Sequence, residues 1–194
     1  MSVPIPPRGR GTASNPHNRF APTRSEVEDD GWFQSETPPC RATEVRAERA
    51  KTVITRNQSP DVGFDRSVNP YRGCEHGCVY CFARPTHAYL GLSPGLDFES
   101  KLFAKPDAPA LLEKELAAAD YEARMIAIGT NTDPYQPIER ERKIMRGILE
   151  VLERAGHPVG IVTKSALVTR DIDILSRMAR SEEHTSELQS RSDL

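Results

Sequence analysis

The sequence predicts an α/β protein built around a parallel sheet and preceded by an extended arm. Two short apolar runs carry the reading, Met125-Ile126-Ala127-Ile128 and Val159-Gly160-Ile161-Val162. Each is too short for a helix and is punctuated by glycine or proline, as a buried strand is. The segments around them place apolar residues at helical spacing. Strand, helix and strand repeated with short turns form βαβ units, which close right-handed into a parallel sheet or barrel covered by helices.

The first 50 residues stand outside that pattern. They are rich in Pro, Arg, Ser, Thr and Glu, with few apolar residues beyond Phe20, Trp32 and Phe33. Such a composition buries too little to offset chain entropy, so residues 1–50 read as an extended, largely disordered arm. Within it, Gly9-Arg10-Gly11, Asn15-Pro16 and Arg19-Phe20 read either as a docking motif or as part of a tail.

Order is expected from Thr52-Val53-Ile54-Thr55, continuing through Ser67-Val68-Asn69 into a cysteine-rich loop. Asp107 can cap a helix carrying Leu111, Leu112 and Leu116 on one face, which feeds the strand at Met125–Ile128. A second helix is predicted from Glu141 to Ala155, with Ile144, Ile148, Val151 and Leu152 inward, Gly156 as its C-terminal stop and Pro158 beyond. The strand from Val159 follows. A third helix is predicted from Arg170-Asp171, with Ile174, Leu175 and Met178 on its inner side. Residues 51–179 thus read as one folded region.

The 194 residues can bury one sizeable core. A formal charge of −2, with 28% charged residues, does not suggest the strong positive field of a general nucleic-acid binder. No apolar run approaches the ~18 residues needed to span a bilayer, and Met1 to Arg10 lacks the apolar centre of a secretory signal. The chain reads as cytoplasmic. Cysteine usage agrees, because three of the four cysteines crowd into positions 74 to 81, which suggests a metal site rather than a disulfide framework. Cys40, alone in a Pro-rich stretch, reads as a spare thiol rather than a further ligand.

The stretch Asn69-Pro70-Tyr71-Arg72-Gly73-Cys74-Glu75-His76-Gly77-Cys78-Val79-Tyr80-Cys81 is the most informative in the chain. Three thiolates at this spacing can wrap one face of a [4Fe–4S] cluster, whose usual complement is four cysteines. One iron then has no protein ligand and can be chelated by a small molecule with an amine and a carboxylate, as a catalytic metal keeps an exchangeable position. Gly73 and Gly77 allow tight turns. Two other readings stay open. Cys74, His76, Cys78 and Cys81 supply four candidate zinc ligands, although structural zinc sites usually draw on two separate knuckles. Cys78 and Cys81 alone form a Cys-x-x-Cys pair, without a thioredoxin-like context.

Cys74-x-x-x-Cys78-x-Tyr80-Cys81 after a strand resembles the radical S-adenosylmethionine (SAM) superfamily. Asn69 to Gly95, Asp97-Phe98-Glu99, Thr132-Asp133-Pro134-Tyr135-Gln136-Pro137 and Thr163-Lys164-Ser165 are similar to a bacterial group related to spore photoproduct lyase. The arm residues Arg10-Gly11 to Arg19-Phe20 are similar as well. The resemblance implies the first half of a partial parallel (β/α)6 barrel and a cluster on Cys74, Cys78 and Cys81. It also implies an electron donor such as flavodoxin or ferredoxin, and reductive cleavage of SAM to a 5′-deoxyadenosyl radical. Reactive groups in such barrels lie at the C-terminal ends of strands. The resemblance assigns Tyr80, Thr132 and Lys164 to SAM. Each has a plain alternative: Tyr80 as packing, Thr132 as a turn residue, Lys164 as an exposed cation. Photoproduct lyases carry a hydrogen-donating cysteine near the end of strand two, where this chain has only Gly129 to Thr132, which argues against thymine repair.

Residues 180–194 break the pattern. Arg180 to Ser190 back-translates, with ordinary codons, to a string resembling a sequencing-library adapter, so the tail reads as non-native. On that reading native sequence stops near Ala179, three β/α units are present, and the fragment is expected to expose a sheet edge, to be poorly stable and to lack activity by itself.

Overall fold

The structure, a computed structural model, describes residues 9–23 and 42–180. Cys40, Trp32, Phe33 and the tail from Ser181 onward lie outside the described residues. The chain divides into two compact units. One joins residues up to 46 with 73–102 and contains the cysteine loop; the other joins 47–72 with residues from 103 onward. Residues 73–102 therefore group with arm residues, and the division cuts across the span 51–179.

Two sheets are present. Strand β1 (Glu44–Ala47) belongs to a three-stranded sheet, whereas β2 (Ile54–Arg56) and β3 (Arg66–Val68) belong to a four-stranded one. Strand β4 (Tyr71–Arg72) leads into the cysteine loop. After a 3-10 helix (Arg84–Leu90) and the short helix α1 (Leu96–Ser100), β5 (Lys101–Ala104) completes the smaller sheet in the order β1-β5-β4. Antiparallel pairing sets Tyr71 opposite Ala104 and Arg72 opposite Phe103.

The larger sheet carries the βαβ units anticipated from the apolar periodicity. Helix α2 (Ala108–Leu116) precedes β6 (Ile126–Ile128); α3 (Glu139–Arg142) and α4 (Ile144–Arg154) precede β7 (Val159–Ile161); and α5 (Ile172–Arg180) follows. The order is β2-β3-β6-β7. β3, β6 and β7 run parallel, with Val68 opposite Ile128 and Ile128 opposite Ile161. β2 pairs antiparallel with β3, so this sheet is mixed. The described strands form no closed barrel. No described helix is long and apolar enough to cross a membrane.

Helix α4 shows how the core is built. Met145, Ile148, Leu149 and Leu152 are fully buried, and each such side chain stabilises the fold by about 1.5–3 kcal/mol on area grounds. α2 packs on α4 where Gly147 leaves room; a Cβ there would lie 2.9 Å from Pro109 Cγ. The helix ends as its sequence demands. Gly156 adopts φ 57° just past the C-cap, Gly156 N–H donates to Glu153 O at 3.0 Å, and His157 N–H donates to Leu152 O at 2.9 Å. Those are the two bonds of a Schellman stop.

Three expectations need correction. The single helix from Glu141 to Ala155 is two helices, broken at Lys143, the sole described non-glycine residue with positive φ (51°). The cause is Glu139, whose carboxylate accepts the Met145 amide at 3.1 Å and thereby satisfies the start of α4. Asp107 does stand at the N-cap of α2, but its side chain makes no capping bond; its carbonyl accepts Leu111 N–H at 3.0 Å. The third helix starts at Ile172 rather than at Arg170, because Ala166–Asp171 form a 3-10 turn capped by the Ser165 hydroxyl.

Glu139 also anchors a buried polar network. It accepts from the Tyr71 hydroxyl and, at 2.7 Å, from Arg170, which bonds Asp171 in turn. Glu139 and Asp171 have no exposed surface. Burial, with Glu139 adjacent, pushes the Tyr71 phenol well above its ordinary range. Glu139→Ala should therefore destabilise the protein by about 3 kcal/mol in urea titrations, because it leaves the Arg170 guanidinium, the Tyr71 hydroxyl and the Met145 amide short of an acceptor.

Candidate functional site

The cysteine loop is a pair of tight turns held from behind by buried charge. Gly73 adopts φ 75° and lies against Phe98 and Leu102; a Cβ there would come within 2.8 Å of Phe98 O. Cys74 N–H donates to that same carbonyl at 2.9 Å. Cys81 N–H then donates to Cys78 O at 3.2 Å, and Arg84 Nε donates to the same oxygen at 3.0 Å. Cys74 is buried at 6% exposure with Ala83 and Phe98, and Cys81 packs against this group. Cys78 and Cys81 are half-buried, and none of the three cysteines forms a disulfide. Val79, Tyr80 and Phe82 stand exposed between and beside them, Tyr80 at 83%.

Behind the loop lies the ion pair Arg84–Glu99. Glu99 is completely buried. Besides Arg84 it accepts Gly11 N–H at 2.8 Å and the Thr12 hydroxyl at 2.6 Å. The Arg84 guanidinium lies 5.3 Å from the Phe98 ring centroid and donates to Gly95 O at 3.3 Å. Arm residues 9–23 continue along the unit. Asn15 exchanges bonds with Asp97, Asn18 donates to Ala88 O at 3.0 Å, and Phe20 stacks on Tyr89 at 5.0 Å. Burial opposes ionisation of Asp97, but the Ser93 amide, Lys101 and Asn15 outweigh it and hold the carboxyl below its usual value. Burial lowers the His87 imidazole below its ordinary range, against the raising effect of its contacts with Lys101 O and Asp97.

In the other unit, three polar segments follow β3, β6 and β7, at the ends where α/β proteins place reactive groups. Their side chains tie these segments together. Asn69 donates to the Thr130 hydroxyl at 3.3 Å and accepts Asn131 N–H at 3.1 Å. The Thr132 hydroxyl donates to Tyr71 O at 2.8 Å, and Thr132 is only 3% exposed. Asp133 accepts from the Thr163 hydroxyl at 2.7 Å and from Lys164 N–H at 3.1 Å. Gly129, at φ 86°, lets the chain pass Val162 O, 2.1 Å from where a Cβ would stand. The Lys164 residue is exposed. Tyr135 and Gln136 are fully buried, the first under Arg170.

Of the residues singled out from sequence, Cys74, Cys78, Cys81 and Tyr80 fall in the cysteine-loop unit, and Thr132 and Lys164 in the sheet unit. Asp133 joins the backbone of Lys164 to the segment carrying Thr132. Among the described residues, no three His, Cys, Asp or Glu side chains are gathered closely enough to hold a metal ion. The donor chemistry nonetheless fits an iron–sulfur cluster: three cysteines outside any disulfide lie on one loop, whose backbone turns at Gly73 and Gly77 (φ 61°) where a Cβ would collide. Sequence reasoning missed Arg84 and Glu139. For Arg84 the available signal was the run Leu96-Asp97-Phe98-Glu99-Ser100, whose two carboxylates among apolar residues require donors or a cation from elsewhere.

Comparison with known proteins adds relatives without a described role. No family model matches the chain, and no solved structure does. Uncharacterized proteins of Mycobacterium bovis and Mycobacterium tuberculosis are 44% identical over 117 residues, covering 60% of this chain and 34% of each relative. An uncharacterized protein of Methanocaldococcus jannaschii is 28% identical over 134 residues, covering 69% of this chain and 48% of the relative. The chain thus spans about a third of the mycobacterial relatives and about half of the archaeal one.

The lowered His87 gives a pH test. With its folded value below the ordinary one, the unfolded chain binds the proton first as pH falls. The contribution of neutral His87 is complete above the unfolded value and lost as pH drops through it toward the folded value. Between about pH 7 and about pH 5 the urea midpoint of the wild type should therefore fall more than that of His87→Gln.

Proposed function

We propose that this chain is part of a radical SAM enzyme, with a [4Fe–4S] cluster on Cys74, Cys78 and Cys81. The observation that carries the reading is the loop itself: three cysteines outside any disulfide, at the superfamily spacing, turned by two positive-φ glycines. The parallel strands β3, β6 and β7, with polar segments after each, support the further reading that the fold is the first half of a (β/α)6 barrel. When bound, the cluster would supply one electron, drawn from a donor such as flavodoxin or ferredoxin, for cleavage of SAM to a 5′-deoxyadenosyl radical.

The protein's own residues have narrower tasks. Cys74, Cys78 and Cys81 would hold the cluster through their thiolates, and three protein ligands would leave it able to bind SAM. Tyr80, exposed beside the last thiol, offers a ring face to the cofactor. Lys164 offers a cation to the SAM carboxylate. Thr132 has a different part: its hydroxyl proton is committed to Tyr71 O, so it orders the segment after β6 and retains only acceptor capacity for SAM.

Anaerobic reconstitution of the chain should yield roughly four irons and four sulfides, and Cys78→Ser should abolish the cluster's absorbance. A wild-type preparation that binds zinc but takes up no iron would sink the reading. SAM binding to the reconstituted protein separates the two polar residues. Lys164→Gln should weaken binding about tenfold without moving the urea midpoint, whereas Thr132→Val should also lower stability by about 1 kcal/mol. Unchanged SAM affinity in Lys164→Gln would remove that lysine from the site.

A further inference from the structure

The arm meets the cysteine loop backbone to backbone. A Cβ on Gly11 would lie 1.7 Å from Gly77 O, and one on Gly77 would lie 3.0 Å from Gly11 N and 2.9 Å from Glu99 Oε2. Gly77 is the residue just before Cys78, so this close approach falls inside the span between the first two thiols. The contact is locked from both sides. Glu99 receives the Gly11 amide and the Thr12 hydroxyl, and Arg84, bound to the same carboxylate, holds Cys78 O. On the near side Thr43 accepts from Arg10 Nη2 at 2.9 Å and donates to the Glu75 carboxylate, between Cys74 and Cys78. The stretch Glu75–Cys78 is thus held by Gly11 and Thr43 from earlier in the chain and by Arg84 from just beyond it.

We propose that the arm segment Arg10–Thr12, acting through Glu99 and Arg84, is a positioning element for the cysteine loop, so that metal uptake by Cys74, Cys78 and Cys81 depends on it. The inference rests on the reading of that loop as a cluster site. Residues supporting a ligand loop from outside commonly govern metal affinity because they restrict where the ligands can go. Arg84 acts on the Cys78 carbonyl, and Glu99 acts on Arg84 and on the Gly11 amide that packs against Gly77.

Four substitutions in the full chain test this. Gly11→Ala drives a methyl into Gly77 O, and Thr12→Val removes the hydroxyl bonded to Glu99 while keeping its shape. Thr12→Ser restores the hydroxyl. Asn18→Ala cuts an arm contact to Ala88 O, away from the cysteine loop. In metal-free protein, maleimide alkylation of Cys78 and Cys81, mapped by mass spectrometry, should be about tenfold faster in Gly11→Ala and Thr12→Val. After anaerobic reconstitution, the same two variants should hold iron against a competing chelator about 10- to 100-fold more weakly. Thr12→Ser and Asn18→Ala should match the wild type in both measurements. Wild-type behaviour of Gly11→Ala and Thr12→Val in either measurement overturns the proposal, as does an equal loss in Asn18→Ala, which would reduce the effect to general docking of the arm. Failure of the wild type itself to take up iron overturns the cluster reading and the metal dependence with it; the alkylation rates then decide the positioning role alone.

Discussion

Glu99 has no exposed surface, and a carboxylate taken out of water destabilises a fold unless donors replace its hydration. Its donors come from two separate stretches of chain. Arg84 supplies the counter-charge, and Gly11 and Thr12 supply neutral bonds. Removing any of these leaves a buried charge short of partners, so the cost of undocking the arm exceeds the loss of its apolar contacts alone. The same carboxylate thereby orders the arm, the start of the 3-10 helix at Arg84 and the peptide groups of the cysteine loop. A segment too polar to form a core of its own acquires structure by completing the coordination of a buried ion.

The sheet unit solves a similar problem in another way. Glu139 and Asp171 are both fully buried, and Arg170 bridges them at 2.7 and 2.6 Å. Glu139 also receives the Tyr71 hydroxyl and the Met145 amide in the first turn of α4, which explains why Lys143 can adopt a left-handed conformation and interrupt an otherwise continuous helical pattern. Beyond the strand ends, Asn69, Thr132 and Asp133 spend their polar groups on neighbouring segments. These segments are preorganised by bonds among themselves, which favours a site whose shape precedes its ligand.

For the proposed chemistry, the character of the cysteine loop matters as much as its spacing. Cys74 sits among Ala83 and Phe98, whereas Cys78 and Cys81 retain partial exposure beside the exposed Val79, Tyr80 and Phe82. The arrangement anchors one thiol and leaves two accessible on a backbone that is itself restrained. Arg84 and the Cys81 amide both donate to Cys78 O, so the path of the chain between ligands is set by hydrogen bonds that need no metal. Gathering of the sulfurs then requires adjustment of side chains on a fixed track rather than ordering of a free loop.

Local patterning alone determined the three cysteines, the apolar strands at Ile126–Ile128 and Val159–Ile161, the buried face of α4 and its glycine stop at Gly156. Each follows from neighbours close in the chain: a cysteine spacing, an apolar period, or a backbone conformation that glycine tolerates. Tertiary structure decided the rest. The break at Lys143, the antiparallel pairing of β2, the commitment of Thr132 to Tyr71 O and the seat of residues 9–23 on the cysteine loop all depend on groups far apart in sequence. Glu99 and Arg84 look like ordinary surface charges until folding removes their water. A buried charge must then find its partners wherever the chain brings them, and no local pattern records where that is.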